Sequence, residues 1–376
     1  MLAAAAILAA LALQPPEDPP LSYRQKFLPR HQNADGSWGA RPASCTCPEP
    51  PASRRPGPSE IEALVGLLGD DDPDARDSAQ RDLRALGAIA LPALRGGTAD
   101  PDPEVRGRCE RLRREIRIQF PGAGDVETTG LALLVYLGAG YTHLSRTVEG
   151  ESCVGDIVKR GLQWLMAKQD KDGVFDAKDA TGNAIAALAL SEAYGMTASV
   201  PLKEPAQRGV AAVERSQPKE LRERAWKALV LVSAKRSELD GDHAAHAEAL
   251  ARDLEGSSSP LALAARARLR LVFARKKDDG VTSALARTLA GELDPETRLF
   301  VTLSLFSMEG KEGRRWREWN TGLRDAVIPR QCAEWPRCEH GSWEGEGLRG
   351  RLRASTLNML SLQVYYRYTN TLAGVD

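Results

Sequence analysis

The chain has 376 residues, more than one average domain, and its 51 basic and 51 acidic residues balance. With no basic excess and no acidic tail, the composition argues against nucleic-acid binding and against cation storage. Aromatic residues make up only 5% while Ala, Leu and Arg abound, which favours helix over strand.

Residues 1–20 read as a signal peptide and a Pro-rich start. The run from Met1 to Leu13 is apolar but too short to span a bilayer, and Ala10-Leu11-Ala12 fits a small-x-small cleavage site just before Pro15-Pro16. The expectation is cleavage near Ala12 and export to the periplasm or cell envelope. No later segment predicts a membrane span.

Residues 21–40 predict a helix ending at Phe27-Leu28, followed by the phrase His31-Gln32-Asn33-Ala34-Asp35-Gly36-Ser37-Trp38-Gly39. The Asp-Gly pair stops the helix, because Gly readily takes the left-handed conformation of a turn. Residues 41–58 are a Pro-rich linker. Residues 59–118 then form an insert with its own repeat. Ile61, Leu64, Val65 and Leu68 mark one short helix, and Ala75, Ala79, Leu83 and Leu86 the next, after an Asp70–Asp74 turn. Asp100-Pro101-Asp102-Pro103 and the stripe Val105, Cys109, Leu112, Ile116 repeat the plan. A period of roughly 30 to 40 residues with Asp-Pro helix starts resembles a pair of HEAT repeats, which implies a protein-binding surface.

Residues 119–376 carry the rest of the first pattern. Trp164-Leu165 closes an amphipathic helix before Gln169-Asp170-Lys171-Asp172-Gly173-Val174-Phe175, and a worn copy runs from Gln331 to His340-Gly341-Ser342-Trp343. A strongly apolar helix follows each turn, beginning near Thr129, Thr181 and Thr356, with Thr the predicted N-cap. Between them, helix pairs are expected near 210–217 with 225–231, 243–254 with 260–275, and 281–291 with 296–308, then a single helix over 316–327. The count is about six hairpins of exposed-side helix, Gly turn and buried helix, in an open solenoid or a closed ring.

The phrase Gln-x-x-x-Gly-x-Trp after an aromatic-Leu pair resembles the QW repeat of the terpene cyclase and protein prenyltransferase superfamily. The layout at 129–141, 164–197, 306–320 and 343–368 resembles the prenyltransferase/squalene-oxidase-repeat proteins of planctomycete bacteria. The resemblance implies an all-α fold, an α/α toroid of about six hairpins, interrupted here by the HEAT-like insert. It also implies that Gln32, Gly36, Trp38, Trp164, Gln169, Gly173, Phe175, Gln331, Gly341 and Trp343 stabilise helix ends rather than catalyse. It carries no reaction.

The chemical motifs of the superfamily do not appear. The cyclase Asp-x-Asp-Asp proton donor has no counterpart except Asp70–Asp74, where Asp is read as capping the following helix. There is no prenyltransferase Asp-x-Cys with a distant matching His, and no Cys-Gly-Glu-Gln thioester motif. No catalytic residue, cofactor or metal site is therefore expected. Cys45, Cys47, Cys332 and Cys338 are candidate disulfide partners beside the first and last turns, where a bond would clasp a closed ring. A metal site with His340 is the alternative for the same cysteines. His243 and His246 fall on one helix and read as a solvated face, and His31 has no evident partner. Thr129, Asn183, Tyr365 and Tyr366 are candidate cavity-facing residues, with capping and packing the plainer reading. The expected function is an exported, non-catalytic binding or scaffold protein for a protein or peptide partner, with a small apolar ligand also open. The alternative is a toroid-class enzyme acting on an isoprenoid or glycan.

Overall fold

The computed structural model describes residues 24–39, 45, 58–86, 90–119, 124–149, 152–333 and 338–364. The signal-peptide, Cys47, Tyr365 and Tyr366 expectations lie outside the described residues. The chain divides into two compact units, Met1–Cys47 with Asp125–Asp376, and Pro48–Gly124. The regular structure of the described residues is helical apart from one short ladder.

Helix α1 (Arg24–Arg30) opens the larger unit. The smaller unit holds α2 (Pro58–Gly66), a 3-10 turn Leu67–Gly69, α3 (Pro73–Leu86), α4 (Leu91–Gly97) and α5 (Pro103–Gln119). Its core gathers Ile61, Val65, Leu68, Leu83, Leu94, Val105, Cys109 and Leu112. Two turns repeat in detail. Asp72 Oδ1 accepts from the Asp74 amide at 3.0 Å, and Arg76 donates to the Asp70 and Asp71 carbonyls. Thirty residues later Asp102 accepts from the Glu104 amide at 2.8 Å, and Arg106 donates to the Asp100 and Pro101 carbonyls. The aspartate run thus caps helices, as its position before a helix start predicts. Cys109 is a buried thiol, which burial pushes up to about 11.

The larger unit resumes with α6 (Val126–Gly138), a two-residue ladder of β1 (Val148–Glu149) against β2 (Ser152–Cys153), α7 (Val154–Lys168), α8 (Ala180–Thr197) and α9 (Val200–Arg215). It continues through α10 (Leu221–Arg236), α11 (His243–Asp253), α12 (Pro260–Ala274), α13 (Asp279–Ala286), α14 (Pro295–Glu309), α15 (Arg314–Val327) and α16 (Gly347–Leu362). The even-numbered helices from α6 onward each pack on the next, and α16 packs back on α6, so they close a ring. Between them α7, α9, α11, α13 and α15 lie outside, each against the even-numbered helix that precedes it.

Sequence decides which helix goes where. Every residue of α6 is buried, as is the whole run Ala225–Ala234 of α10. A helix apolar all round must be surrounded by protein. The outer helices bury one stripe: Trp316, Trp319, Leu323 and Val327 in α15, and Ile157, Val158, Gly161, Trp164 and Leu165 in α7. Two expectations need correction. Asp125 and Asp179, not Thr129 and Thr181, cap α6 and α8, and Thr356 lies inside α16. A carboxylate is the better acceptor for first-turn amides and also meets the positive end of the helix dipole. Helix α13 ends at Ala286 rather than near 291, where Thr288 folds back on the Leu285 carbonyl at 2.7 Å.

Candidate functional site

The repeated turns come first, because they absorb most of the residues singled out from sequence. In the first, Gln32 Nε2 donates to the Gly36 carbonyl and to the Ile157 carbonyl of α7, both at 2.9 Å, while Arg160 donates to Gln32 Oε1 at 2.8 Å. In the second, Gln169 Nε2 donates to Pro205 of α9 at 2.9 Å, and Arg208 donates to Gln169 Oε1 at 3.0 Å. Each turn therefore grips the next outer helix at two positions three residues apart, one turn of helix. Gly36 and Gly173 have φ of +93° and +88°, and Gly341 matches them at +88°. The indoles finish the turns: Trp38 Nε1 donates to Leu28 O at 2.8 Å and Trp343 Nε1 to Val327 O at 2.7 Å. Trp164 Nε1 reaches Asp35 of the preceding turn at 3.0 Å, and Gln331 Nε2 donates to Gly341 O at 3.0 Å. Phe175 is buried beneath its turn.

Thr129 and Asn183 serve these turns. The Trp38 amide donates to Thr129 Oγ1 at 3.0 Å, the Phe175 amide to Asn183 Oδ1 at 2.7 Å, and the Trp343 amide to Ser355 Oγ at 2.9 Å. One position of the inner helix thus holds a side-chain oxygen, whether Thr, Asn or Ser, for the amide of the turn aromatic.

At one mouth of the ring the first turns of inner helices bring charge together. Arg222 Nε donates to both carboxylate oxygens of Glu296, at 3.0 and 2.9 Å, and its Nη2 pairs with Glu127. Arg353 closes the square, with Nε 2.9 Å from Glu127 Oε1 and Nη2 3.1 Å from Glu296 Oε1. Trp226 Nε1 adds a bond to Glu296 at 2.5 Å. The square ties α6, α10, α14 and α16. Burial acts to lower the Arg222 pKa, but the Glu127 and Glu296 carboxylates outweigh it and hold the guanidinium above its ordinary value. Burial pushes the carboxyls of Asp125 and Asp179 up, against the amides they cap and the attraction of Arg349. Arg349 itself is mostly exposed, 3.3 Å from Asp125.

None of the square was singled out from sequence. The only signal is positional: Glu127, Arg222 and Glu296 are each the second residue of an inner helix. A single charge opening an apolar helix looks like ordinary first-turn chemistry until the ring closes.

The third constellation lies beside the first and last turns. His31, Cys45 and Cys338 offer ligand atoms that all lie within 4.8 Å of one another. Cys338 Sγ is 3.3 Å from His31 Nε2 and 3.9 Å from Cys45 Sγ, so the two sulfurs are neighbours without a covalent bond. His31 Nδ1 donates to the Phe27 carbonyl at 2.7 Å, which leaves Nε2 with its lone pair aimed at sulfur. Burial lowers the His31 pKa and favours the neutral ring. Cys45 and Cys338 thus meet where a clasp was expected, but His31, given no partner from sequence, joins them. Cys332 holds the last turn through its backbone, bonding Ser342 O and the Gly341 amide at 2.8 Å.

His243 is not on a solvated face: it is buried, with Nδ1 2.6 Å from Glu214 Oε1 and Nε2 2.8 Å from the Leu239 carbonyl. An open hollow of about 330 Å³ on the outer surface is lined by Lys171, Asp172, Arg208, Ala211 and Arg215. Among the described residues no helix is long and apolar enough to cross a membrane. No protein-family model matches the chain, and comparison with curated proteins and with solved structures finds no match.

Proposed function

We propose that this protein is an exported, non-catalytic scaffold that binds a protein or peptide through the mouth of its helical ring and through its helical insert. The square of Glu127, Arg222, Glu296 and Arg353 carries this reading. Its two carboxylates are already occupied as acceptors by two guanidinium groups and would have to be released before touching a substrate. The burial of all of α6 and of Ala225–Ala234 in α10 supports the same view, since these stretches spend their side chains on packing. Export rests on the apolar Met1–Leu13 run with its Ala10-Leu11-Ala12 site, and the paired Asp-capped turns of the insert support the likeness to HEAT repeats.

A second reading, an isoprenoid- or glycan-directed enzyme, draws on Asp125 and Asp179. Burial pushes both carboxyls up at the same mouth, as a general acid requires. Full-length protein incubated with isoprenoid diphosphates, oligosaccharides and peptides, followed by mass spectrometry, separates the two. The scaffold reading expects no product, and expects bound peptides to be lost on Arg349→Glu. A product abolished by Asp125→Asn or Asp179→Asn would replace it with the enzyme.

A further inference from the structure

The cluster of His31, Cys45 and Cys338 has the dimensions of a tetrahedral metal site. With zinc–sulfur bonds of about 2.3 Å and zinc–nitrogen bonds of about 2.0–2.1 Å, a tetrahedron has S···S edges near 3.8 Å and S···N edges near 3.6 Å. The Cys338–Cys45 and Cys338–His31 edges are 3.9 and 3.3 Å, and all three ligand atoms lie within 4.8 Å of one another. We propose that His31 Nε2, Cys45 Sγ and Cys338 Sγ bind one zinc ion that fastens the first repeat unit to the last.

Three features favour a metal over a bond between the two sulfurs. The His31 ring has its tautomer set by the Phe27 carbonyl, the second-shell arrangement that ligating histidines use. Two thiolates and a neutral imidazole bring the divalent ion to zero net charge, which suits a site where His31 is 0%, Cys45 7% and Cys338 8% exposed. Thiolate and imidazole donors also select zinc over the hard cations. Each thiol gives up its proton to solvent as its sulfur bonds zinc. No oxidant takes part.

Position adds an argument. His31 and Cys338 are 307 residues apart, one beside the opening turn and the other beside the closing one. An ion held by both bridges the single seam at which the ring's first and last units meet, and so favours the closed ring over an opened one.

The test uses the full-length chain, purified without chelator from zinc-supplemented culture. We expect about one zinc per chain by atomic emission, and, after exchange to Co²⁺, near-ultraviolet thiolate charge-transfer bands with tetrahedral d–d bands. Cys45→Ser, Cys338→Ser and His31→Asn should each weaken zinc binding at least about tenfold against a competing chromophoric chelator. Wild-type stoichiometry and the cobalt spectrum decide the matter even if the variants fail to fold. Reduced wild type that takes up no zinc when reconstituted with zinc alone overturns the proposal. So does an unreduced protein lighter by two hydrogens with the loss mapped to a Cys45–Cys338 peptide, and so does a Cys338→Ser variant that keeps its zinc.

Discussion

At the scale of single residues, the turn glycines are the most exacting positions. Gly36 combines φ of +93° with a neighbour, the Arg160 carbonyl oxygen, 2.5 Å from where a β-carbon would stand. Either condition alone penalises a side chain, and together they leave no room to relax without moving α7. Gly36→Ala should therefore destabilise by about 1–2 kcal/mol from backbone conformation alone, with the clash added. Urea denaturation of the two proteins measures it, and an unchanged midpoint would refute this account of the turn. These positions were legible in the sequence because the Gly-x-aromatic spacing recurs intact in all three copies. The oxygen that receives the turn amide was not, because Thr129, Asn183 and Ser355 share a function but not an identity.

At the scale of elements, outer helices are joined by specific polar contacts as well as by apolar stripes. His243 opens α11 and reaches Glu214 near the end of α9. The hydrogen bond to Glu214 raises the His243 pKa, against burial, which lowers it. A histidine whose pKa is raised on folding contributes stability that is fully present below its unfolded value of 6.5 and is lost as pH rises through the folded value. The difference in melting temperature between wild type and His243→Gln should be largest below about pH 6 and shrink toward about pH 9. A difference that stays flat over that range would remove the charged pair from the account. Apolar periodicity placed α11 correctly but assigned its first residue to solvent, because a helix start carries no stripe that says which way residue one points.

At the scale of the whole ring, four helices are tied by one square of charge. Removing Glu296 leaves the Arg222 and Arg353 guanidiniums to share the one Glu127 carboxylate, whereas replacing both partners of a pair by apolar groups is often neutral. Glu296→Leu should thus be strongly destabilising, and Arg222→Met with Glu296→Leu less so than the sum of the two single changes. Additive losses in denaturant would mean that the square is ornament and not a joint. The architecture was readable from the alternation of amphipathic and wholly apolar helices. The square and the His31 cluster were not, since their members come together only when the chain closes on itself and no local pattern records that event.

The grip of each turn on the helix beyond it also sets an order of assembly. Helix α1 is seven residues long with Pro29 inside it, too short to persist alone. Its turn finds Thr129 after 91 residues, Ile157 after 125 and Cys338 after 307. During synthesis the start of the chain must wait, unsatisfied, for partners not yet made, with the insert emerging in the interval. The opening turn is thus the first segment of the ring to be translated and the last to be completed, and the newborn chain reaches its final form only when the closing unit has left the ribosome.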